Sequence, residues 1–337
     1  METFSTGAVK DIYDARDYQW EEIAHGSVPF DWTKGFDIEE KVGKIKVKDQ
    51  NGSSSCGGQA WAYYSAVLEA DFSGSLEERS AKFIYAQTHV NGGGSAGRTN
   101  CELCKKQGVS LETLCPSYEN GNPPSEAFMV RDTDITPEAK ENALKNKSLS
   151  YAFVTPDIDT IAQALEINHG VVIGISGENN GTWRTAFPLP PTTEQWRHWV
   201  YVGKAKIING KKYLGFINSW GDVGEDGWQW ISEDYFRALK GSAVWSGWTM
   251  VYDPNPTLKP HYTFTKLLRY GMTDPDVKQL QECLKYEGLF PQIQTTNYFG
   301  KITREAVKKF QSKHSLQVDG IVGKYTRERL NSIYSHV

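Results

Sequence analysis

The stretch DQNGSSSCGGQAWAYYS, Asp49 to Ser65, decides how the rest of the chain is read. A glutamine, Gln50, stands six residues before a cysteine, Cys56, and the run between them is largely glycine and serine. Gly52 and the three serines permit a tight turn, since glycine reaches positive φ without a steric cost and serine hydroxyls satisfy turn backbone. From Gly58 onward Ala60, Trp61, Tyr64, Val67 and Leu68 recur at helical spacing, which predicts a helix with Cys56 at its N-terminus. Unpaired N–H groups and the helix dipole at such an end favour a thiolate. Gln50 can offer a side-chain N–H to a developing oxyanion, beside the backbone N–H of Cys56.

Three later stretches complete a pattern. In NGGGSAG (Asn91–Gly97) glycines allow the close backbone approach that a cleft needs to hold an extended peptide by main-chain hydrogen bonds. WRHWVYVG (Trp196–Gly203) alternates, setting His198, Val200 and Val202 on one strand face and Trp199 and Tyr201 on the other. After a hairpin over Lys204–Lys212, YLGFINSWG (Tyr213–Gly221) makes a partner strand. It ends at Asn218, so paired strands bring His198 and Asn218 to one end.

Taken in this order, these motifs resemble the papain family of cysteine peptidases. The likeness runs from VPFDW (Val28–Trp32) to GDVGEDGWQWI (Gly221–Ile231), where Val223 stands in place of the family's Trp. It implies an α+β, two-lobed fold, helical first and antiparallel β-rich second, with a cleft between. It also implies roles: Cys56 the nucleophile, His198 its proton partner, Asn218 the orienter of the imidazole, Gln50 part of the oxyanion hole. Gly92, Gly93 and Trp220 fall on the substrate side, and Trp220 shields the His–Asn hydrogen bond. Ser55-Cys56-Gly57-Gly58-Gln59-Ala60 is similar to the bacterial form Ser-Cys-x-x-x-Ala. Aligning Cys56-Gly57 with the start of Cys-Gly-Ser-Cys-Trp would instead leave no nucleophile, and the Gln-to-Cys spacing argues against that. Ser53 and Val90 occupy positions that relatives commonly bridge by a disulfide, and this joint loss suits a protein that does not rely on an oxidising compartment. A leader of residues 1–27 replaces the long inhibitory propeptide, so autoinhibition by that route is not expected.

Of the five cysteines, Cys101 and Cys104 have Cys-x-x-Cys spacing, but no second pair or nearby His completes a ligand set. Buried thiols, or a disulfide among Cys101, Cys104 and Cys115, are the alternatives. Ile158, Ile161, Ala162 and Leu165 predict an amphipathic helix ending at His169, which reads as a cap rather than a base. VVIGISG (Val171–Gly177) reads as a buried strand, and residues 123–146 as a polar surface excursion.

The 337 residues carry a formal net charge of −4, unevenly spread: +5 from Phe264 onward and −9 before it. Such asymmetry points to two jobs. A Pro-rich linker (253–263) separates a domain over 28–252 from one over 264–337. In the latter, Gly300-Lys-Ile-Thr-Arg-Glu305 is echoed by Gly323-Lys-Tyr-Thr-Arg-Glu328. Its pattern VKQLQ…YFGKITREAVKKFQ…LQVDGIVGKYTRERL resembles the all-α, three-helix peptidoglycan-binding domain of bacterial and phage wall hydrolases. No run of eighteen apolar residues exists for membrane insertion, the opening residues are not a signal peptide, and nothing suggests nucleic acid. The expectation is a cysteine endopeptidase with no cofactor or metal, made in the cytoplasm and held at bacterial peptidoglycan by residues 264–337, as in a phage lysin. Rivals are a non-catalytic wall- and peptide-binding adaptor, or a ligase or transpeptidase using the same acyl-enzyme.

Overall fold

The computed structural model describes residues 6–12, 14, 17–24, 27–251, 259–291 and 295–335. The chain divides into two compact units, residues 1–21 with 26–252 and residues 22–25 with 253–337. Most of the expected linker, residues 253–258, lies outside the described residues.

The first unit opens with strand β1 (Ala8–Val9), helix α1 (Trp20–Ile23), strand β2 (Phe36–Asp37) and helix α2 (Glu39–Val42). Its centre is helix α3 (Cys56–Ser73), which begins at Cys56 as its sequence predicts. The helix is not amphipathic, however: 14 of its residues are buried. A helix apolar on all sides is enclosed rather than laid on a surface. One side meets α4 (Ala81–Thr88), and Gly58 permits this, because a Cβ there would lie 2.6 Å from the Ala81 carbonyl. The Ser80 hydroxyl caps α4 by accepting from Phe83 N. Strand β3 (Ser95–Ala96) and helix α5 (Gly97–Lys106) follow. The expected surface excursion is instead partly built in. Helices α6 (Glu126–Met129) and α7 (Pro137–Ala143) bury Met129, Ala139 and Ala143, apolar residues too sparse to read as periodic.

The second lobe is a seven-stranded antiparallel sheet. Besides β2 it holds β4 (Ser150–Phe153), β5 (Val171–Gly177), β6 (Trp196–Ile208), β7 (Lys211–Ile217), β8 (Trp228–Ser232) and β9 (Val244–Val251). Their order is β4-β9-β5-β6-β7-β8, with β2 on β6. The β6–β7 hairpin is tighter than its sequence suggests. Both strands run up to Asn209-Gly210, whose φ values of 49° and 78° suit a two-residue turn, and the register pairs Tyr201 with Ile217. Helix α8 (Ile158–Asn168) ends at His169, a left-handed C-cap whose ring meets Asp71 and Lys41, so it is a capping residue. Helix α9 (Glu233–Gly241) links β8 to β9.

The second unit contains α10 (Pro275–Tyr286), α11 (Lys301–Lys313) and α12 (Lys324–Tyr334). The sequence echo has a physical counterpart. Gln281 on α10 donates to the Tyr298 carbonyl and the Thr303 hydroxyl, while its carbonyl accepts from Thr296 N. Gln311 on α11 donates to the Ile321 carbonyl, Thr326 hydroxyl and Asp319 carboxylate, and accepts from Asp319 N and Gly320 N. Each buried amide thus latches one loop to the first turn of the next helix. Gln311→Ala strands several buried donors and acceptors, and unsatisfied groups cost about 1–3 kcal/mol each. Calorimetry of the full chain should show the second unit's transition destabilised by roughly 2–4 kcal/mol, with the first unit unchanged.

Candidate active site

Helix α3 delivers Cys56 to the inner face of β6. Gly57 makes this approach possible, since a Cβ there would sit 2.2 Å from Ser95 Oγ and 2.7 Å from Asn100 Nδ2. The α3 side chain Trp61 packs edge-on against Trp199, with ring centroids 5.3 Å apart. Cys56 Sγ receives backbone hydrogen bonds from Trp199, Gly57 and Cys56 itself. The thiol therefore lies against the peptide that follows His198.

His198 projects from β6, and its Nε2 lies 2.9 Å from Asn218 Oδ1. Asn218 is the residue after β7, so the hairpin register brings the two together. The Asn218 amide can take one orientation only. Its Oδ1 also accepts from Ser219 N at 2.7 Å, and its Nδ2 donates to Gln229 Oε1 at 2.7 Å. Oδ1 must then accept from Nε2–H, leaving Nδ1 as the bare nitrogen. That nitrogen is buried and has no hydrogen-bond partner among the described residues.

Trp220 stacks on the imidazole, with centroids 4.4 Å apart and planes 25° from parallel. Trp196 and Trp183 pack edge-on around it. Trp220 therefore lies in direct contact with the imidazole ring. Sequence reasoning did not single out Trp183 and Trp196, whose part depends on the loop before β6.

Gln50 is wholly buried, donating from Nε2 to the Ser53 carbonyl at 2.8 Å and accepting from Ser219 Oγ at 2.6 Å. Its backbone N–H donates to the Ser219 carbonyl at 2.8 Å. The loops carrying Gln50 and Asn218 are therefore joined directly. Asn218 thus meets His198 directly, Gln50 meets Ser219, and the Cys56 thiol lies against Trp199, the residue after His198.

Burial pushes the Cys56 thiol up to about 12, outweighing its backbone hydrogen bonds. Burial likewise pushes His198 down to about 4, against the raising effect of Asn218. Both side chains are fully enclosed, and desolvation favours the neutral form of each.

Gly92, Gly93 and Gly94 all have positive φ, in a turn closed by Val90 N to the Gly94 carbonyl. A hydrogen-bonded chain ties this turn to the cysteine loop: Gly94 N donates to Tyr85 OH, Tyr85 OH to Glu126, and Ser54 N to Glu126. It spans the region where relatives' bridging cysteines would stand, here Ser53 and Val90. Nothing in the spacing of Tyr85 and Glu126 signals the contact.

The leader departs most from expectation. Strand β1 pairs in parallel with β3, Ala8 opposite Ser95, and Ser95 N donates to the Gly7 carbonyl. Gly7 rests on the cysteine loop itself, where a Cβ would come within 2.0 Å of the Ser54 carbonyl. Thr6–Val9 thereby wall a cavity of about 340 Å³ with Gly93 and Glu194–Arg197, beside His198. Further on, Asp11 accepts from Arg98 N and Trp248 Nε1, and Arg98 pairs with Asp17. The leader thus occupies backbone next to the glycine turn.

All five cysteines are free and buried. Among the described residues no group of three or more His, Cys, Asp or Glu could hold a metal ion, and no helix is long and apolar enough to cross a membrane.

Comparison with known proteins bears on both units. Residues 273–330 match the family model of the putative peptidoglycan binding domain. Among solved structures, the fold is similar to xylellain, a cysteine protease from Xylella fastidiosa, with a TM-score of 0.60 and 22% identity over 74% of this chain and 96% of that one. It is similar also to the proform of the ragweed pollen cysteine protease Amb a 11, with a TM-score of 0.55 and 20% identity, covering 69% of this chain and 70% of that one. Bromelain from Ananas comosus gives a TM-score of 0.51 and 18% identity, covering 65% of this chain and 99% of that one. No curated protein matches by sequence. The chain therefore joins a unit with the papain-like cysteine protease fold to a helical region that carries a putative peptidoglycan binding domain.

Proposed function

We propose that the chain is a cysteine endopeptidase that cuts peptide bonds at the bacterial cell wall, with Cys56, His198 and Asn218 as its triad. The carrying observation is the bare, buried Nδ1 of His198, its other nitrogen fixed by Asn218 at 2.9 Å, on the strand whose next peptide meets the Cys56 thiol. The thiol proton passes to Nδ1 as Sγ attacks the scissile carbonyl carbon. The carbonyl oxygen takes the electron pair, facing the Cys56 backbone N–H and the Gln50 amide. One such donor is typically worth about 3–4 kcal/mol. Collapse forms a thioester as the C–N bond breaks, and the leaving amine takes the proton from Nδ1. Water, activated by the same nitrogen, then releases the acid and restores the thiol.

The putative peptidoglycan binding domain supports a wall-associated substrate, and release by a phage lysis system is the setting we favour. The leader acts as a restraint on the cleft, because it uses the main-chain groups of Ser95 beside the glycine turn.

Cys56→Ala should remove cleavage of peptides and walls while leaving the circular dichroism spectrum and wall co-sedimentation intact, and Asn218→Ala should lower kcat less than His198→Ala. Residual cleavage by Cys56→Ala beyond a few per cent of wild type would reassign the nucleophile. Gly7→Val forces β1 off the Ser54 carbonyl, so kcat/KM on a soluble peptide should rise severalfold; an unchanged value would mean that the leader leaves the cleft accessible. Removing residues 264–337 should spare soluble-peptide cleavage but lower activity on intact walls, by loss of local substrate concentration. Binding of the tail should weaken with salt, because charges are screened over about 8–10 Å at physiological ionic strength.

A further inference from the structure

Gln229 lies on β8, opposite Phe216 of β7, and is wholly buried between two tryptophans in sequence. A polar side chain at such a position must have its hydrogen bonds met within the protein. Its Nε2 donates to the carbonyls of Trp183 and Thr185, both at 2.8 Å. Carbonyls only accept, so these two contacts fix which end of the amide is nitrogen. Oε1 is thereby turned toward Asn218, where it accepts from Nδ2 at 2.7 Å. Gly224 closes the site behind it, since a Cβ there would lie 2.8 Å from Gln229 Cγ. Turned over, the Gln229 amide would set its oxygen against two carbonyl oxygens, so these hydrogen bonds hold it in one orientation.

Resting on the peptidase reading above, we propose that Gln229 is a positioning residue that sets the tautomer of His198 through Asn218. The logic is one of donors and acceptors passed along three side chains. The carbonyls of residues 183 and 185 orient Gln229, Gln229 holds the nitrogen of the Asn218 amide, and Asn218 presents oxygen to Nε2. His198 then keeps its proton on Nε2 and offers the lone pair of Nδ1 to the thiol proton. With the Asn218 amide reversed, Nδ2 would face the ring and favour a proton on Nδ1, where the thiol proton has to go. Ser219 N supports the same orientation from the other side of the amide, so loss of Gln229 weakens the arrangement without abolishing it. The same amide fixes the loop that carries Trp183 against Trp220, which ties the shield to the orienter.

The test is a double-mutant cycle on the full chain with Gln229→Leu, in the wild-type and Asn218→Ala backgrounds. Alone, Gln229→Leu should lower kcat on a soluble peptide roughly 10- to 100-fold, short of the ~10⁴-fold seen when a triad is left with the wrong tautomer, with KM within about twofold. In the Asn218→Ala background the same change should cost less than about twofold. A merely structural role would cost the same in both, and that result, or no loss in either, overturns the proposal. Nitrogen-15 spectra of histidine-labelled protein, with His198 assigned by a His198→Gln sample, give a second readout independent of turnover. Wild type should show Nε2 protonated and Nδ1 bare, and Gln229→Leu should populate the other tautomer. An unchanged tautomer overturns the proposal. Should the wild type cleave no peptide, the peptidase reading fails while the spectra still decide the role of Gln229. Gln229→Met, close in shape and unable to donate, carries the same measurements if Gln229→Leu does not fold.

Discussion

Enclosure of α3 on every side is the constraint on which the site depends. A helix with 14 buried residues has to be met by neighbours all around, and those neighbours carry the residues of the proposed site. On one side Gly58 admits α4; on another Gly57 admits the Ser95–Asn100 segment. Tyr63, wholly interior, accepts from Lys48 N at 2.6 Å and donates to the Asn218 carbonyl at 3.1 Å. One hydroxyl on the cysteine helix thus fixes both the approach to Gln50 and the peptide of the orienting asparagine. The same enclosure strips water from Cys56 and His198 and favours the neutral form of each.

Rigidity around the cysteine loop is reached here by hydrogen bonds. Ser53 and Ser55 share a hydroxyl contact at 2.7 Å, and Ser53 Oγ donates to the Gln50 carbonyl. Glu126 takes one donor from the loop and one from Tyr85, whose own hydroxyl holds the glycine turn. A carboxylate accepting two such bonds is charge-assisted at both, and these bonds are stronger than neutral ones. The link is non-covalent and local, and it needs no change of redox state to form.

Much of this was legible in the sequence because it is local. The helix start at Cys56, the β6–β7 hairpin and the strand-end position of Asn218 follow from periodicity and turn chemistry over short spans. The three helices of the tail and the echo between their loops were visible for the same reason. What escaped the sequence is what tertiary packing decides. Gln229 looked like one polar residue in a tryptophan-rich strand, and its importance comes from carbonyls some 45 positions away. Glu126 fell in a stretch read as polar surface, because three isolated apolar residues carry no period. The helix end at Cys56 was visible in the sequence, and the burial around the thiol was not. The leader gave no sign of pairing with β3, since two-residue strands leave no pattern.

That pairing has a consequence for the kind of substrate the cleft can select. A segment tethered in the same chain competes as though present at an effective concentration in the millimolar range for a short linker. A free peptide that gains only a few main-chain hydrogen bonds must exceed that threshold to take its place. A polymer held at many points pays the entropy of approach once and meets the cleft at comparable local concentration. On the proposed reading, a leader that restrains the cleft discriminates between dispersed and anchored peptides by competition within one molecule.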